Sequence, residues 1–114
     1  MSITIERLAS LIQRELAIIV NEVIKNGKIG YINLTEVKVT NDLSFATVYY
    51  TILSDDKETI KLANEIIEEK KALVRMELAK KIRNVRKIPN LVFKYDEALA
   101  YGNHIDGLLK SINK

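Results

Sequence analysis

Apolar residues recur at three- and four-residue spacing over residues 3–25, which predicts an amphipathic helix. The stripe is formed by Ile5, Leu8, Ala9, Ile12, Leu16, Ile19, Val20 and Val23. Ser2 or Thr4 can cap the start of this helix, and Asn26-Gly27 can end it. Because the polar side carries charges of both signs, the pattern favours a helix that packs on a core over one that lies on a membrane surface.

Beyond Gly30 the apolar period changes to two, which predicts a strand. The alternation runs over residues 32–35 and again over 36–39, but its phase flips between them, so we expect a β-bulge near Thr35-Glu36. Thr40–Leu43 has the residue types of a tight turn. The β-branched and aromatic segment Ser44–Leu53 then predicts the returning strand of a hairpin.

Ser54-Asp55-Asp56 is predicted to open a second helix, in which Asp55 can form a capping pair with Glu58. Its apolar face comprises Ile60, Ala63, Ile67, Val74, Leu78 and Ile82, and Leu73 is also expected to face a core. Lys70-Lys71 occupies the position where this face should continue. We therefore expect a kink at Lys70–Ala72, or two shorter helices that meet there.

Pro89 ends the helical pattern, and Leu91, Phe93 and Tyr95 predict a short third strand. A loop over residues 96–101 then precedes a last helix, which opens at Gly102-Asn103 and has Ile105, Leu108, Leu109 and Ile112 on one face. The resulting order of helix, strand, strand, kinked helix, strand and helix predicts an α+β fold, with a three-stranded mixed sheet covered by helices on one face. Applying the right-handed crossover rule, we expect the third strand to lie beside the first and parallel to it.

The composition is that of an ordinary globular protein, with 47% hydrophobic and 29% charged residues, and its 114 residues predict one domain spanning 1–114. The absence of cysteine excludes a disulfide framework, a thiolate metal site and a thiol nucleophile. The N-terminal residues do not resemble an export signal, and no apolar run approaches the ~18 residues of a membrane span. We therefore expect a cytoplasmic protein without a membrane partner.

Positive charge is concentrated in residues 70–94, which hold nine of the eighteen basic residues and a single acid, Glu77. The local charge, nine minus one, is +8 and exceeds the +3 of the whole chain. Lys80 and Lys81 would complement the negative end of a helix dipole, but that effect fades within one turn and leaves the other cations unexplained. We favour an anion-binding face over the alternative of a solvated helix end.

Few residues suggest catalysis. His104 is the only histidine, so no second imidazole or thiolate can join it in a metal site or a catalytic pair. Asp55-Asp56 is more typical of a helix cap than of a cation site. Tyr49 and Tyr50 are candidates for base stacking on a sheet, but neighbouring strand residues point to opposite faces, so only one can be exposed and packing is favoured. We expect no catalytic residue, no metal ligand and no cofactor.

Several stretches, taken together, resemble one family. They are RLASLIQRELAIIVNE at 7–22, IGYINLTEVKVT at 29–40, DLSFATVYYTIL at 42–53, IPNLVF at 88–93 and GNHIDGLLKSI at 102–112, with Arg75 and 78–82 between them. The turn Asp42-Leu43-Ser44 and the tail Gly102–Leu109 are the most specific pieces. In this order and spacing the sequence resembles ribosome-binding factor A, a small assembly protein of the bacterial small ribosomal subunit. The resemblance implies a type II K-homology fold, a standard module for single-stranded RNA.

The sequence departs from that family at three places. Lys70-Lys71-Ala72 stands where the family has a kink centred on Ala-x-Gly, which removes both signature residues and adds charge. One extra residue lies between Arg75 and Pro89, and Ala98 stands where the family commonly has serine. These differences bear on the RNA contacts rather than on the fold.

The resemblance implies a protein that is not an enzyme, that binds the free immature small (30S) ribosomal subunit and its 16S rRNA, and that assists late maturation of the rRNA 5′ end. Neighbouring ribosomal proteins are candidate contacts, and a monomer is the default expectation. The expected RNA-binding residues are Lys70, Lys71, Arg75, Lys80, Lys81, Arg83, Arg86 and Lys87, with Arg7 and Arg14 as weaker candidates.

Alternatives remain open at this point. Arg14 is more typical of a surface residue paired with a nearby glutamate, and Arg75 can equally be an arginine that packs at the edge of the core. The protein as a whole can instead be a general K-homology-like module for single-stranded RNA, or a basic protein–protein scaffold.

Overall fold

The computed structural model describes residues 4–82 and 87–97. Within them the elements are α1 (Ile5–Val23), β1 (Ile32–Val39), β2 (Phe45–Ile52), α2 (Lys57–Lys81) and β3 (Asn90–Tyr95). The α+β class and the three-stranded mixed sheet are confirmed. The predicted C-terminal helix lies outside the described residues.

The central strand of the sheet is β2, because the strand order is β1-β2-β3. β1 pairs with β2 antiparallel and β3 pairs with β2 parallel, so the expectation that the third strand lies beside the first is wrong. The chain leaves β2, crosses over through α2 and returns as β3. The right-handed crossover rule therefore relates β3 to β2, the strand that precedes the helix.

One face of the sheet is buried by both helices. Alternate residues of β2, namely Ala46, Val48, Tyr50 and Ile52, are buried, as the period of a strand requires. α1 buries Leu8, Ile12, Leu16, Ile19 and Val20, and α2 buries Ala63, Ile67, Val74 and Leu78. Leu73 is 40% exposed, so it is not part of the buried stripe in which the sequence pattern placed it. Each fully buried aliphatic side chain contributes about 1.5–3 kcal/mol to folding.

α2 is a single α-helix of 25 residues that runs without a break through Lys70–Ala72. The prediction of two shorter helices that meet there is therefore wrong, while the alternative of a kink within one helix stays a prediction. Lys70 and Lys71 are both partly buried, which fits aliphatic stems that lie along the apolar stripe while their ammonium groups reach water. No glycine or proline in this stretch disrupts the helical hydrogen bonds.

Both helices begin at a capping side chain. Thr4 Oγ1 accepts a hydrogen bond from the Arg7 N–H at 3.2 Å, which confirms one of the two predicted caps of α1. At α2 the cap is Asp56, whose carboxylate accepts from the Thr59 N–H at 3.1 Å. The predicted pairing of Asp55 with Glu58 is therefore wrong, because the helix begins one residue later.

The β1–β2 turn is held by side-chain hydrogen bonds. Leu43 has a φ of +61°, an uncommon conformation for a non-glycine residue, and its N–H donates to the Thr40 carbonyl at 3.0 Å. The Asp42 carboxylate accepts hydrogen bonds from the Ser44 side chain, from the Thr40 hydroxyl at 2.8 Å and from the Ser44 N–H at 3.0 Å. These bonds favour the carboxylate and lower the pKa of Asp42 to about 2.

The free edge of β1 is covered by polar side chains of α1. Asn21 Nδ2 donates to the Ile32 carbonyl at 2.9 Å, and Asn21 Oδ1 accepts from the Ile32 N–H at 2.8 Å. Gln13 Nε2 donates to the Leu34 carbonyl at 3.3 Å. The strand register then shifts between Leu34 and Glu36, which confirms the predicted bulge. The Asn21 and Gln13 bonds thus give partners to both backbone groups of Ile32 and to the carbonyl of Leu34, which would otherwise lie open to another strand.

We expect Asn21→Ala to lower the free energy of unfolding by about 1–3 kcal/mol, because both backbone groups of Ile32 would lose a partner in a partly buried place. Urea denaturation followed by circular dichroism measures the change. The matched control is Asn33→Ala, whose exposed amide makes only a 3.5 Å contact with Thr51 and should change stability by less than about 0.5 kcal/mol. Equal effects of the two substitutions would contradict the role of Asn21.

Candidate nucleic-acid interface

The basic stretch occupies the C-terminal half of α2 and the segment that leads to β3. The first turn of α2 carries Glu58 and the last carries Lys80 and Lys81, so charge follows the helix dipole at both ends. Arg83 and Arg86 lie outside the described residues.

Two of the predicted cations form ion pairs on the surface of α2. Lys71 Nζ lies 2.8 Å from a Glu68 carboxylate oxygen, and Lys80 Nζ lies 3.2 Å from a Glu77 carboxylate oxygen. All four side chains are at least a third exposed, and exposed pairs of this kind contribute only about 0–1 kcal/mol. A polyanion can therefore compete with these carboxylates for the two lysines.

Arg75 is engaged in the fold. Its Nη2 donates to the Ile88 carbonyl at 2.7 Å and its Nε donates to the Pro89 carbonyl at 3.1 Å. These bonds attach α2 to the segment that enters β3, which supports the packing alternative for this residue. A guanidinium group has five N–H donors, so three of them take part in neither of these two bonds.

The predicted cations do not share one face of α2. Neighbouring residues differ by about 100° around a helix, so Lys70 and Lys71 lie at opposite edges of the buried stripe. Arg75 lies one turn after Lys71, on the edge of the stripe toward β3. Lys87 lies in the same region, because it adjoins Ile88, whose carbonyl accepts a hydrogen bond from Arg75. Lys81 lies about three turns after Lys70 on the other edge. The structure thus brings these candidates into two groups rather than one, and Lys80, about 100° from Lys81 around the helix, belongs to neither.

Lys70, Lys81 and Lys87 form no ion pair or hydrogen bond with an acid in the part of the chain that is described. Lys81 and Lys87 are exposed, and Lys70 is partly buried. Their charges are therefore available to an external anion.

The weaker candidates lie on α1, on the surface that faces away from the core. Arg7 and Arg14 line a shallow groove together with Glu6, Ser10 and Leu11. Arg14 Nε lies 3.9 Å from the Glu15 carboxylate, which fits the expectation of a surface residue beside a glutamate.

The two adjacent tyrosines of β2 point to opposite faces, as expected. Tyr50 is fully buried, its hydroxyl donates to Asn64 Oδ1 at 3.4 Å, and its ring meets Tyr95 edge-on at 5.8 Å. Burial, followed by the charge of Glu68, raises the pKa of Tyr50 to about 12. Tyr49 is partly exposed on the other face of the sheet, where Lys38 Nζ lies 5.6 Å from its ring centroid.

Sequence reasoning missed Lys38 and Lys94 as functional candidates. Both are exposed on the face of the sheet that the helices leave uncovered, and Lys94 pairs with Tyr49 across β2 and β3. The alternation of residues along each strand predicts which face these lysines point to. Only the pairing register shows that they lie on either side of β2.

The described part of the chain contains no cluster of His, Cys, Asp or Glu suited to a metal ion. His104 lies outside it. Over residues 4–82 and 87–97, neither helix has an apolar run long enough to cross a bilayer.

Comparison with known proteins settles the family. The model of the family "Ribosome-binding factor A" matches residues 4–109. Ribosome-binding factor A of Phytoplasma mali is 65% identical over 114 residues, which cover all of both chains. The chain belongs to the ribosome-binding factor A family.

Solved structures of this family have the same fold. The crystal structure of ribosome-binding factor A from Thermus thermophilus superposes with a TM-score of 0.68 at 17% identity, over 82% of this chain and 97% of that one. A homology model of the Thermus thermophilus factor, fitted into a cryo-EM map of a 30S complex, gives 0.66 at 19% identity over 78% and 91% of the two chains. The ribosome-binding factor A fold is K-homology-like, which confirms the predicted fold class.

We expect Arg75→Met to lower the free energy of unfolding by about 1–3 kcal/mol, because the carbonyls of Ile88 and Pro89 would lose their partly buried donors. Thermal and urea denaturation measure this change. Lys81→Met, at an exposed position of the same helix, is the control and should leave stability within about 0.5 kcal/mol of the unsubstituted protein. An Arg75→Met protein as stable as this control would show that the two hydrogen bonds do not support the entry into β3.

Proposed function

We propose that this protein is a ribosome assembly factor that binds the free immature 30S subunit and its 16S rRNA, and assists late maturation of the rRNA 5′ end. The observation that carries the proposal is the family match over residues 4–109. The 30S complex of the Thermus thermophilus relative supports the choice of partner.

The charge of α2 supplies the physical basis for binding. The candidate RNA-binding residues remain Lys70, Lys71, Arg75, Lys80, Lys81, Arg83, Arg86 and Lys87. Lysines that neutralise phosphates release condensed counterions, so affinity depends strongly on salt and little on sequence. Recognition of the subunit then depends on the shape of folded rRNA and on neighbouring ribosomal proteins.

The proposal assigns a task to each cation according to its contacts rather than to the edge of α2 on which it lies. Lys81 and Lys87, which have no acidic partner among the described residues, make the primary phosphate contacts. Lys71 and Lys80 exchange their weak surface pairs with glutamates for phosphate. Arg75 positions the segment that carries Lys87 and can donate its remaining N–H groups to the RNA.

The protein acts without catalysis and without a cofactor in this proposal. It is a cytoplasmic monomer, and its K-homology-like domain spans residues 1–114. Binding to an assembly intermediate requires only that the immature subunit present a phosphate surface that the mature, translating ribosome does not.

We expect the tagged protein to co-sediment with free small subunits in a sucrose gradient of cell lysate, and not with translating ribosomes. Raising the salt concentration should release it, because the interaction is electrostatic. Immunoblotting of the gradient fractions measures both results. Equal affinity for any single-stranded RNA, without preference for the subunit, would favour a general RNA-binding module instead.

We expect the double substitution Lys81→Glu with Lys87→Glu to abolish binding to small subunits while the melting temperature stays nearly unchanged, because both side chains are exposed. The milder pair Lys81→Gln with Lys87→Gln should reduce the slope of log K against log salt by about 0.7–0.9 for each phosphate that is no longer neutralised. Filter binding at several salt concentrations provides these values.

The matched control is Lys57→Glu with Lys61→Glu, which makes the same change in net charge at exposed positions in the first turns of α2. It should bind small subunits nearly as well as the unsubstituted protein. If both double variants bind equally poorly, net charge rather than the C-terminal end of α2 determines the interaction.

A further inference from the structure

The face of the sheet opposite the helices carries aromatic rings and lysines together. On β2, Phe45 is 48% exposed and Tyr49 is partly exposed, and Thr47 lies between them on the same face. The two rings are about 13 Å apart along the strand, at about 3.3 Å per residue. They therefore offer two separate apolar surfaces on the central strand rather than one packed cluster.

Lysines flank this strand on both sides. Lys38 of β1 pairs with Thr47, and its ammonium group lies 5.6 Å from the centroid of the Tyr49 ring. Lys94 of β3 pairs directly with Tyr49. Both lysines are exposed and form no ion pair within the described residues.

Acidic groups are present at one end of this face. Glu36 pairs with Tyr49 from the β1 side, and Asp96, after β3, accepts a hydrogen bond from the Thr35 hydroxyl at 2.5 Å. The half nearer the hairpin turn, which includes Lys38, Thr47 and Phe45, carries no acid on the three strands. The lysines and exposed rings thus lie together between Tyr49 and Phe45, with the Asp42 carboxylate of the turn beyond Phe45.

We infer that this open sheet face, formed by Lys38, Phe45, Tyr49 and Lys94, is a second RNA-binding surface that stacks the bases of a single-stranded segment. Exposed rings stack bases of any sequence, and adjacent ammonium groups neutralise the phosphates that connect them. This surface lies on the opposite side of the sheet from α2 and uses none of the cations assigned to the primary interaction. The inference rests on the proposed RNA-binding function.

Two features favour RNA over an apolar protein partner. On β2 the two exposed rings are separated by Thr47, the partly exposed Val92 lies beside that threonine, and lysines border the group, so the apolar area is smaller than that of a protein interface core. Lysine is depleted at such cores, whereas a cation beside an aromatic ring suits a stacked nucleotide.

The test measures binding of a fluorescent short oligouridylate, which has no secondary structure, to the full chain. Phe45→Ser and Tyr49→Thr should each weaken binding by about fivefold or more, since removal of one stacking ring has an effect of that size. Tyr31→Ser removes an aromatic ring that is 53% exposed but lies outside the sheet, and it should leave affinity unchanged. Unchanged affinity of the Phe45 and Tyr49 variants would overturn the inference.

A measurement on the unsubstituted protein guards against variants that fail to fold. In ¹⁵N–¹H NMR spectra, oligouridylate should shift the amide signals of Thr47, Tyr49 and Val92, which lie side by side in β2 and β3. Shifts confined to α2 would overturn the inference. A double-stranded RNA of equal length should not reproduce the shifts in the sheet, because its bases are already stacked.

The outcomes also separate this inference from the proposed function. If the protein co-sediments with small subunits but does not bind oligouridylate, the sheet-face inference fails and the proposed function stands. If the Phe45 and Tyr49 variants no longer bind small subunits yet bind oligouridylate normally, the face contacts a ribosomal protein and the RNA inference is wrong. Failure of the unsubstituted protein to co-sediment overturns the proposed function, whatever the oligouridylate result.

Discussion

Burial of one sheet face beneath two helices is the interaction on which the rest of this structure depends. α1 packs on β1, α2 packs on β3, and the helices contact each other, so the inward residues of β2 lie beneath their seam. Tyr50 shows how complete this burial is, because its ring meets Tyr95 and its hydroxyl reaches Asn64 of α2. Once the inward face is fixed, the strand period also fixes which residues meet solvent on the other face.

The same constraint determines where positive charge can lie on α2. A helix with one buried stripe leaves two edges and an outer face, and the dense lysines of its C-terminal half must be distributed among them. Lys70 and Lys71 accordingly occupy opposite edges, and Arg75 donates hydrogen bonds to two backbone carbonyls at the entry of β3. A concentration of charge in sequence thus becomes cations that are divided around the helix.

Polar side chains have a structural role at the edge of β1 and in the β1–β2 turn. Asn21 and Gln13 give partners to backbone groups of Ile32 and Leu34 at the edge of β1, and Asp42 with Thr40 holds Leu43 in a left-handed turn. These contacts keep the hairpin in register, which in turn places Lys38 beside Tyr49 on the open face. The candidate stacking surface therefore depends on the turn between Lys38 and Phe45 and on the edge contacts of β1.

The sequence by itself determined the α+β class, the stripe of α1, the hairpin with its bulge, and the position of the basic stretch, because each is a local period or a local composition. It did not determine that β3 pairs with β2, since strand order depends on the path of the crossover helix. One of its two alternatives for Lys70–Ala72, a break into two shorter helices, was wrong, because lysine stems can cover apolar surface without interrupting a helix. The role of Arg75 and the meeting of Lys38, Tyr49 and Lys94 were decided by tertiary structure alone, because they join residues that no local pattern connects.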